Sequence, residues 1–288
     1  MIERNPILAL ALTTVAGIAI IVALYMSLTD PGPPPESEEE RFERIHKVLI
    51  EAFAGGAAWS GRVEVLGLQS ARTAAHTPGW QIIGTQGACD GSGSYVIRDR
   101  PANSLLITAP HSQFDTNTGE LAQLLFEDTN ARGVAFNTAP RTATEECESG
   151  IDLTKDSWHP FSAFALAFAD SHRDGIVVQL HALEDSSGDE VVDVRIGEGA
   201  GASTQVNAAL TACLGENLEG VAVRTSSGED VQNNAQGQVL RRANHSGFVY
   251  LELTEVVSSN LLGNTEQRER LAACLMAVSK TDDRAYVS

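Results

Sequence analysis

Past its first quarter this chain alternates short apolar, β-branched runs with segments whose apolar residues recur three and four apart, and few folds accommodate that alternation. The strand-like runs fall at residues 80–83, 95–97, 105–108, 134–136, 176–180, 191–196, 221–223 and 248–253. Helical spacing marks residues 36–53, 118–128, 161–172, 203–214 and 265–279. The pattern predicts an α/β fold: a mixed, mostly parallel sheet covered by helices on both faces. The sequence has no internal repeat and no second composition shift, so residues 41–288 are expected to form one domain.

The first 40 residues read differently. Residues 7–28 are 22 residues without a charge. As a helix at about 1.5 Å per residue they reach about 33 Å, matching a hydrocarbon core of about 30 Å. Residues 1–29 are therefore expected to be an uncleaved transmembrane anchor; the competing reading is a cleaved signal peptide. Asp30-Pro31-Gly32-Pro33-Pro34-Pro35 cannot continue a helix, and residues 30–40 read as a stiff, Pro-rich spacer. The positive-inside bias keeps the N-terminus cytoplasmic and exports the rest.

Charge and cysteines narrow the partners. A formal charge of −18 excludes a nucleic-acid partner, because phosphate binding needs a basic surface. Cys89, Cys147, Cys213 and Cys274 have no CxxC spacing, so they read as disulfides of an oxidising, extracytoplasmic compartment. Three pairings are possible. Cys89 with Cys147 and Cys213 with Cys274 is expected, since each pair lies in one half of the chain.

In sheets of this kind functional side chains gather where strands end. Residues 105–108 run into Ala109-Pro110-His111, residues 176–180 run into His181, and 248–253 contains Glu252. In His111-Ser112-Gln113-Phe114-Asp115, a histidine just past a buried strand precedes a carboxylate by four residues. That spacing lets nitrogen and oxygen sit about 2 Å from one divalent ion. With His181 the set is two histidines and one carboxylate, leaving a position open for water, as in catalytic zinc sites. Arg141 follows the 134–136 strand and suits a substrate carboxylate or an oxyanion. A salt bridge to Glu145, Glu146 or Asp152 is its structural alternative. Asn137 is placed to orient the same group.

A resemblance covers these residues. Ala109-Pro110-His111-Ser112-Gln113-Phe114-Asp115-Thr116-Asn117-Thr118-Gly119-Glu120-Leu121-Ala122 resembles the metal loop of phage-type poly-γ-glutamate hydrolases, relatives of zinc carboxypeptidases and N-formylglutamate amidohydrolases. In that family Ala-Pro-His-Gly-Gly-Gly leads to a glutamate ligand and then a helix start. Here Ser112 and Gln113 replace glycines, and the carboxylate is Asp115. Val177-Val178-Gln179-Leu180-His181 is similar to the strand presenting the third ligand, and Phe248-Val249-Tyr250-Leu251-Glu252-Leu253 to the strand carrying the general-base glutamate.

The resemblance implies a phosphorylase/hydrolase-like fold, one zinc per chain, and hydrolysis of a peptide or γ-glutamyl amide. It also implies metal ligands His111, Asp115 and His181 with Glu252 as base. The other function class is a catalytically inactive relative that binds peptide or cell-wall material outside the membrane.

Other signals are weaker. Gly197-Glu198-Gly199-Ala200-Gly201 lacks the Lys-Ser/Thr of a phosphate loop and reads as a loop at a cleft rim. Asn233, Asn234, Gln236 and Gly237 read as a solvated polar loop. His159, His172 and His245 read as surface histidines, with His245 a spare ligand or proton donor.

Overall fold

The computed structural model describes residues 36–55, 58–73, 78–84, 89, 91–99, 102–148, 150–183, 191–199 and 201–279. Among them run nine strands: β1 (Leu68–Arg72), β2 (Gly79–Gly84), β3 (Ser94–Arg98), β4 (Asn103–Ala109), β5 (Ala131–Phe136), β6 (Ile176–Ala182), β7 (Val194–Gly197), β8 (Val223–Ser226) and β9 (Phe248–Leu253). They form one sheet in the order β1-β2-β3-β5-β4-β6-β9-β7-β8. The longer helices are α1 (Glu38–Phe53), α2 (Thr118–Asp128), α3 (Pro160–Ser171), α4 (Thr204–Asn217), α5 (Ala235–Arg242), α6 (Glu255–Gly263) and α7 (Thr265–Val278).

The α/β expectation holds, with one correction. The sheet is mixed, but parallel pairing does not predominate: β1–β2, β2–β3, β3–β5 and β7–β9 are antiparallel. Parallel neighbours need a crossover of a dozen or more residues. The short links among β1, β2 and β3 leave no room for one, so that edge is a meander. The core of the sheet is parallel, with β5, β4, β6 and β9 side by side. β1, with the sequence Leu-Gln-Ser-Ala-Arg, has no apolar alternation to announce it and sits at the edge.

Strand alternation sorts the core into two layers. Leu106, Val177, Phe248 and Tyr250 point toward α1, α3 and α5, while Leu105, Ile107, Val178, Leu180, Val249 and Leu251 point toward α2, α4, α6 and α7. Helix α3 starts with Pro160 at its first position, and its His159 cap accepts from the Phe161 amide. It is buried almost all round, as a helix between a sheet and a second helix must be. Outside it lies α1, whose acidic first turn suits the helix dipole and whose Phe42, Ile45, Leu49 and Phe53 face inward.

Cys89–Cys147 and Cys213–Cys274 are the disulfides formed, the pairing expected from the two halves of the chain. The second joins α4 to α7. Among the described residues no helix is long and apolar enough to cross a membrane. The expected anchor and most of the spacer lie outside the described residues.

Phe164 tests this packing. It is fully buried between Phe53, at 5.1 Å, and Tyr95, at 4.9 Å. Phe164→Ala should cost about 3–5 kcal/mol of stability. Chemical denaturation checks this; a loss under about 1 kcal/mol would mean α3 is not wedged between α1 and the sheet.

Candidate metal centre

Three adjacent parallel strands deliver the site at one edge of the sheet. β4 ends two residues before His111, His181 is the penultimate residue of β6, and Glu252 is the penultimate residue of β9. His181 and Glu252 pair in register, so their side chains share the face that carries Val177 and Phe248.

The loop after β4 folds back sharply. The amides of Phe114 and Asp115 both donate to the His111 carbonyl, at 2.7 and 2.8 Å. Asn117 adopts a left-handed conformation and clamps the loop to α6, its Nδ2 donating to the hydroxyls of Ser258 and Ser259. Gly119 packs closely on the loop: a Cβ there would meet Ser112 Cβ at 3.0 Å and press on it.

His111, Asp115 and His181 converge, as expected. One ligand atom from each lies within 4.8 Å of the others, and all three residues are buried. Asp115 Oδ2 is 3.4 Å from His111 Nδ1 and 3.2 Å from His181 Nδ1. Ligands on a tetrahedral ion with bonds of about 2.0–2.1 Å are themselves about 3.3 Å apart. The Ala182 amide, donating at 3.1 Å, fixes the same oxygen from behind.

The far side of each ring is also engaged. His111 Nε2 meets Asp152 Oδ1 at 2.9 Å, and His181 Nε2 meets Gln179 Oε1 at 2.8 Å. A carboxylate accepts only, so Nε2 of His111 carries a proton and Nδ1 is the nitrogen that faces Asp115. That Nδ1 is buried and has no hydrogen-bond partner among the described residues. A buried ring nitrogen facing a carboxylate without a hydrogen bond to it is a place that a cation can fill. The donor set therefore fits a divalent metal, with imidazoles held by outer partners as metal-ligating histidines are.

The electrostatics agree. Burial alone would raise the Asp115 carboxyl, but the two imidazoles outweigh it and hold the group well below the usual carboxylate range. Asp152 is held low in the same way, by His111, Thr154 and Arg141 against its burial. Burial lowers His181, whereas the two aspartates overcome burial at His111 and raise it.

Glu252 is mostly buried beside this cluster, and its Oε2 pairs with Arg195 Nη1 at 3.3 Å. Burial pushes its carboxyl up against the pull of Arg195. Tyr250 stacks on the His181 ring, centroids 4.4 Å apart.

The remaining expectations fare variously. Arg141 takes the Asp152 alternative, its Nε 3.3 Å from Oδ2, and stays 38% exposed over the Phe114 ring. Asn137 is buried, with Nδ2 donating to the Ile151 carbonyl and Oδ1 accepting from the Ala139 amide, so both ends of its amide are used inside the protein. Asn234, Gln236 and Gly237 are not a solvated loop; they are buried at the start of α5. His245 is buried rather than on the surface, and precedes β9 at the opposite end from Glu252, lining a cavity of about 300 Å³ with Asp170 and Asp174.

Sequence reasoning missed Asp152, Gln179 and Arg195 as parts of this centre. Gln179 was detectable from strand alternation, two residues before His181 on one face; Arg195 meets Glu252 only through the β7–β9 pairing, which carries no signal in the sequence.

No family model matches this sequence, and no curated protein does. Among solved structures, the fold is similar to an N-formylglutamate amidohydrolase from Ralstonia eutropha JMP134, at 12% identity and TM-score 0.46, covering 67% of this chain and 98% of that one. It is similar to an N-acetylmuramoyl-L-alanine amidase from Clostridium difficile 630, at 15% identity and TM-score 0.39, covering 62% and 95%. A metallo-carboxypeptidase from Burkholderia cenocepacia gives 12% identity and TM-score 0.38, covering 85% and 68%. These likenesses are loose, and the chemistry of this chain has to be argued from its own side chains.

Removing the outer partner of His111 should loosen the centre. Asp152→Ala is expected to lower zinc affinity about 10–100-fold, measured by competition with a chelating dye, while the melting profile stays cooperative. Unchanged affinity would mean Asp152 does not orient the ring.

Proposed function

We propose that this chain is an exported, membrane-anchored, zinc-dependent amide hydrolase acting on a carboxylate-bearing amide, such as a γ-glutamyl or cell-wall peptide. One observation carries the reading: ligand atoms of His111, Asp115 and His181 lie buried within 4.8 Å of one another, with Glu252 on the strand next to His181 and on the same face. Export is supported by the two disulfides, which suit an oxidising compartment. The uncharged 7–28 run suits the anchor.

One zinc held by His111, Asp115 and His181 would polarise a carbonyl and make water easier to deprotonate. The rest is the work of the protein. Glu252 accepts a proton from the attacking water as the C–O bond forms and returns it to the leaving nitrogen as the C–N bond breaks. Its raised carboxyl suits a group that must both take and give a proton. Arg195 keeps enough of it ionised to act as base.

Arg141 holds its guanidinium at the rim with one edge on Asp152, leaving N–H groups for a substrate carboxylate. Asn137, with its amide used internally, ties the metal loop to the loop bearing Asp152 instead of touching substrate. The substrate class rests on Arg141 and on the resemblance of residues 109–122.

Glu252→Gln should keep its zinc and lose about 10²–10⁴-fold in turnover of an amide panel. Unaltered turnover would remove Glu252 from the mechanism. A well-folded, metal-free preparation inert toward every amide would favour the binding module.

The pH profile supplies a second check. A base must be ionised, and burial sets the Glu252 carboxyl above its ordinary value, so the rate should fall as pH drops through that raised value. Arg195→Met removes the opposing cation and should move this acid limb further up. A limb at the ordinary carboxylate position in both proteins would contradict the assignment.

A further inference from the structure

Behind His181 lies a chain of buried amides that no metal site strictly needs. Gln179, Asn234 and Gln236 are all fully buried. Gln179 Oε1 faces His181 Nε2 at 2.8 Å and Asn234 Nδ2 at 2.6 Å, and Gln179 Nε2 donates to Gln236 Oε1. At the far end, Asn234 caps α5, its Oδ1 accepting from the Gly237 amide at 3.1 Å.

The direction of every bond in this chain follows from its last member. A backbone N–H donates and never accepts. Gly237 therefore fixes the oxygen of Asn234 toward the helix, and the amide nitrogen of Asn234 must point the other way, at Gln179. A donating Asn234 requires the oxygen of Gln179 to face it. That same oxygen faces His181 Nε2, so the ring nitrogen must bring the proton. His181 Nε2 therefore holds its proton, and Nδ1, 3.2 Å from Asp115 Oδ2, is the nitrogen available to a metal.

We propose that the first turn of α5 sets the tautomer of His181 through Asn234 and Gln179, and so prepares the ring as a metal ligand before any metal arrives. These are positioning residues, and the proposal rests on the metal-centre reading above. Stability alone does not explain the relay: Gln236 Nε2 has no acceptor among the described residues, a cost that an apolar core would avoid. A helix that starts elsewhere in the chain from all three candidate ligands is thereby tied to the chemistry of one of them.

The test is a long-range ¹H–¹⁵N correlation spectrum of the imidazoles in metal-free, full-length protein at about pH 8, above the ordinary histidine value of about 6.5. Wild-type His181 should carry its proton on Nε2, with no population bare at that nitrogen. Asn234→Asp puts an acceptor where a donor stood, so Gln179 must reverse and the His181 proton should move to Nδ1. Zinc affinity should then fall about 10–100-fold.

Gln179→Met, which removes the acceptor but keeps the volume, should give a mixture of tautomers. The wild-type spectrum is decisive even if a variant does not fold. A wild-type ring bare at Nε2, or a protonation pattern that Asn234→Asp and Gln179→Met both leave unchanged, would overturn the proposal. If the spectra come out as expected while zinc binds no form of the protein, the relay stands and the metal reading falls.

Discussion

Asp115 faces two imidazole nitrogens across little more than 3 Å, and that confrontation organises the rest of the molecule. Each ring is turned by an acceptor behind it, Asp152 for His111 and Gln179 for His181, so that its other nitrogen points at the carboxylate. Three such atoms in a buried space repel one another unless a proton or a metal ion lies among them.

The sheet makes the confrontation possible. Three parallel strands lying side by side end at the same edge, so residues far apart in sequence arrive there together. The antiparallel strands on either side widen the sheet without adding ends to that edge, and β7 brings Arg195 alongside Glu252 for the same reason. The loop carrying Arg141 and Asp152 is held by the Cys89–Cys147 disulfide and by Asn137, whose backbone oxygen also accepts from Ser112 in the metal loop. Arg141 and the outer partner of His111 thus share one segment.

Much of this was legible before any coordinates. Central strands buried on both faces read as unbroken apolar runs, so β4, β6 and β9 were visible, and with them His111, His181 and Glu252 at their ends. Strand direction was not legible, because hydropathy has the same period in parallel and antiparallel pairs. β1 lacked both apolar run and alternation.

Asp152 sits in a loop without periodicity, and its approach to His111 depends on closure by residues many positions away. Asn234 and Gln236 were misjudged for a related reason. Asparagine and glutamine look like solvent-facing residues in a sequence, and only a structure reveals that both bond to the buried Gln179.

The most direct test is X-ray absorption at the zinc edge after loading the full-length protein with one equivalent of zinc. The account predicts one ion per chain, tetrahedral, with two imidazoles and light oxygen donors at about 2.0–2.1 Å. His111→Ala should remove one imidazole from that shell. A spectrum with oxygen donors only, or zinc that dialyses away at micromolar concentration, would contradict it.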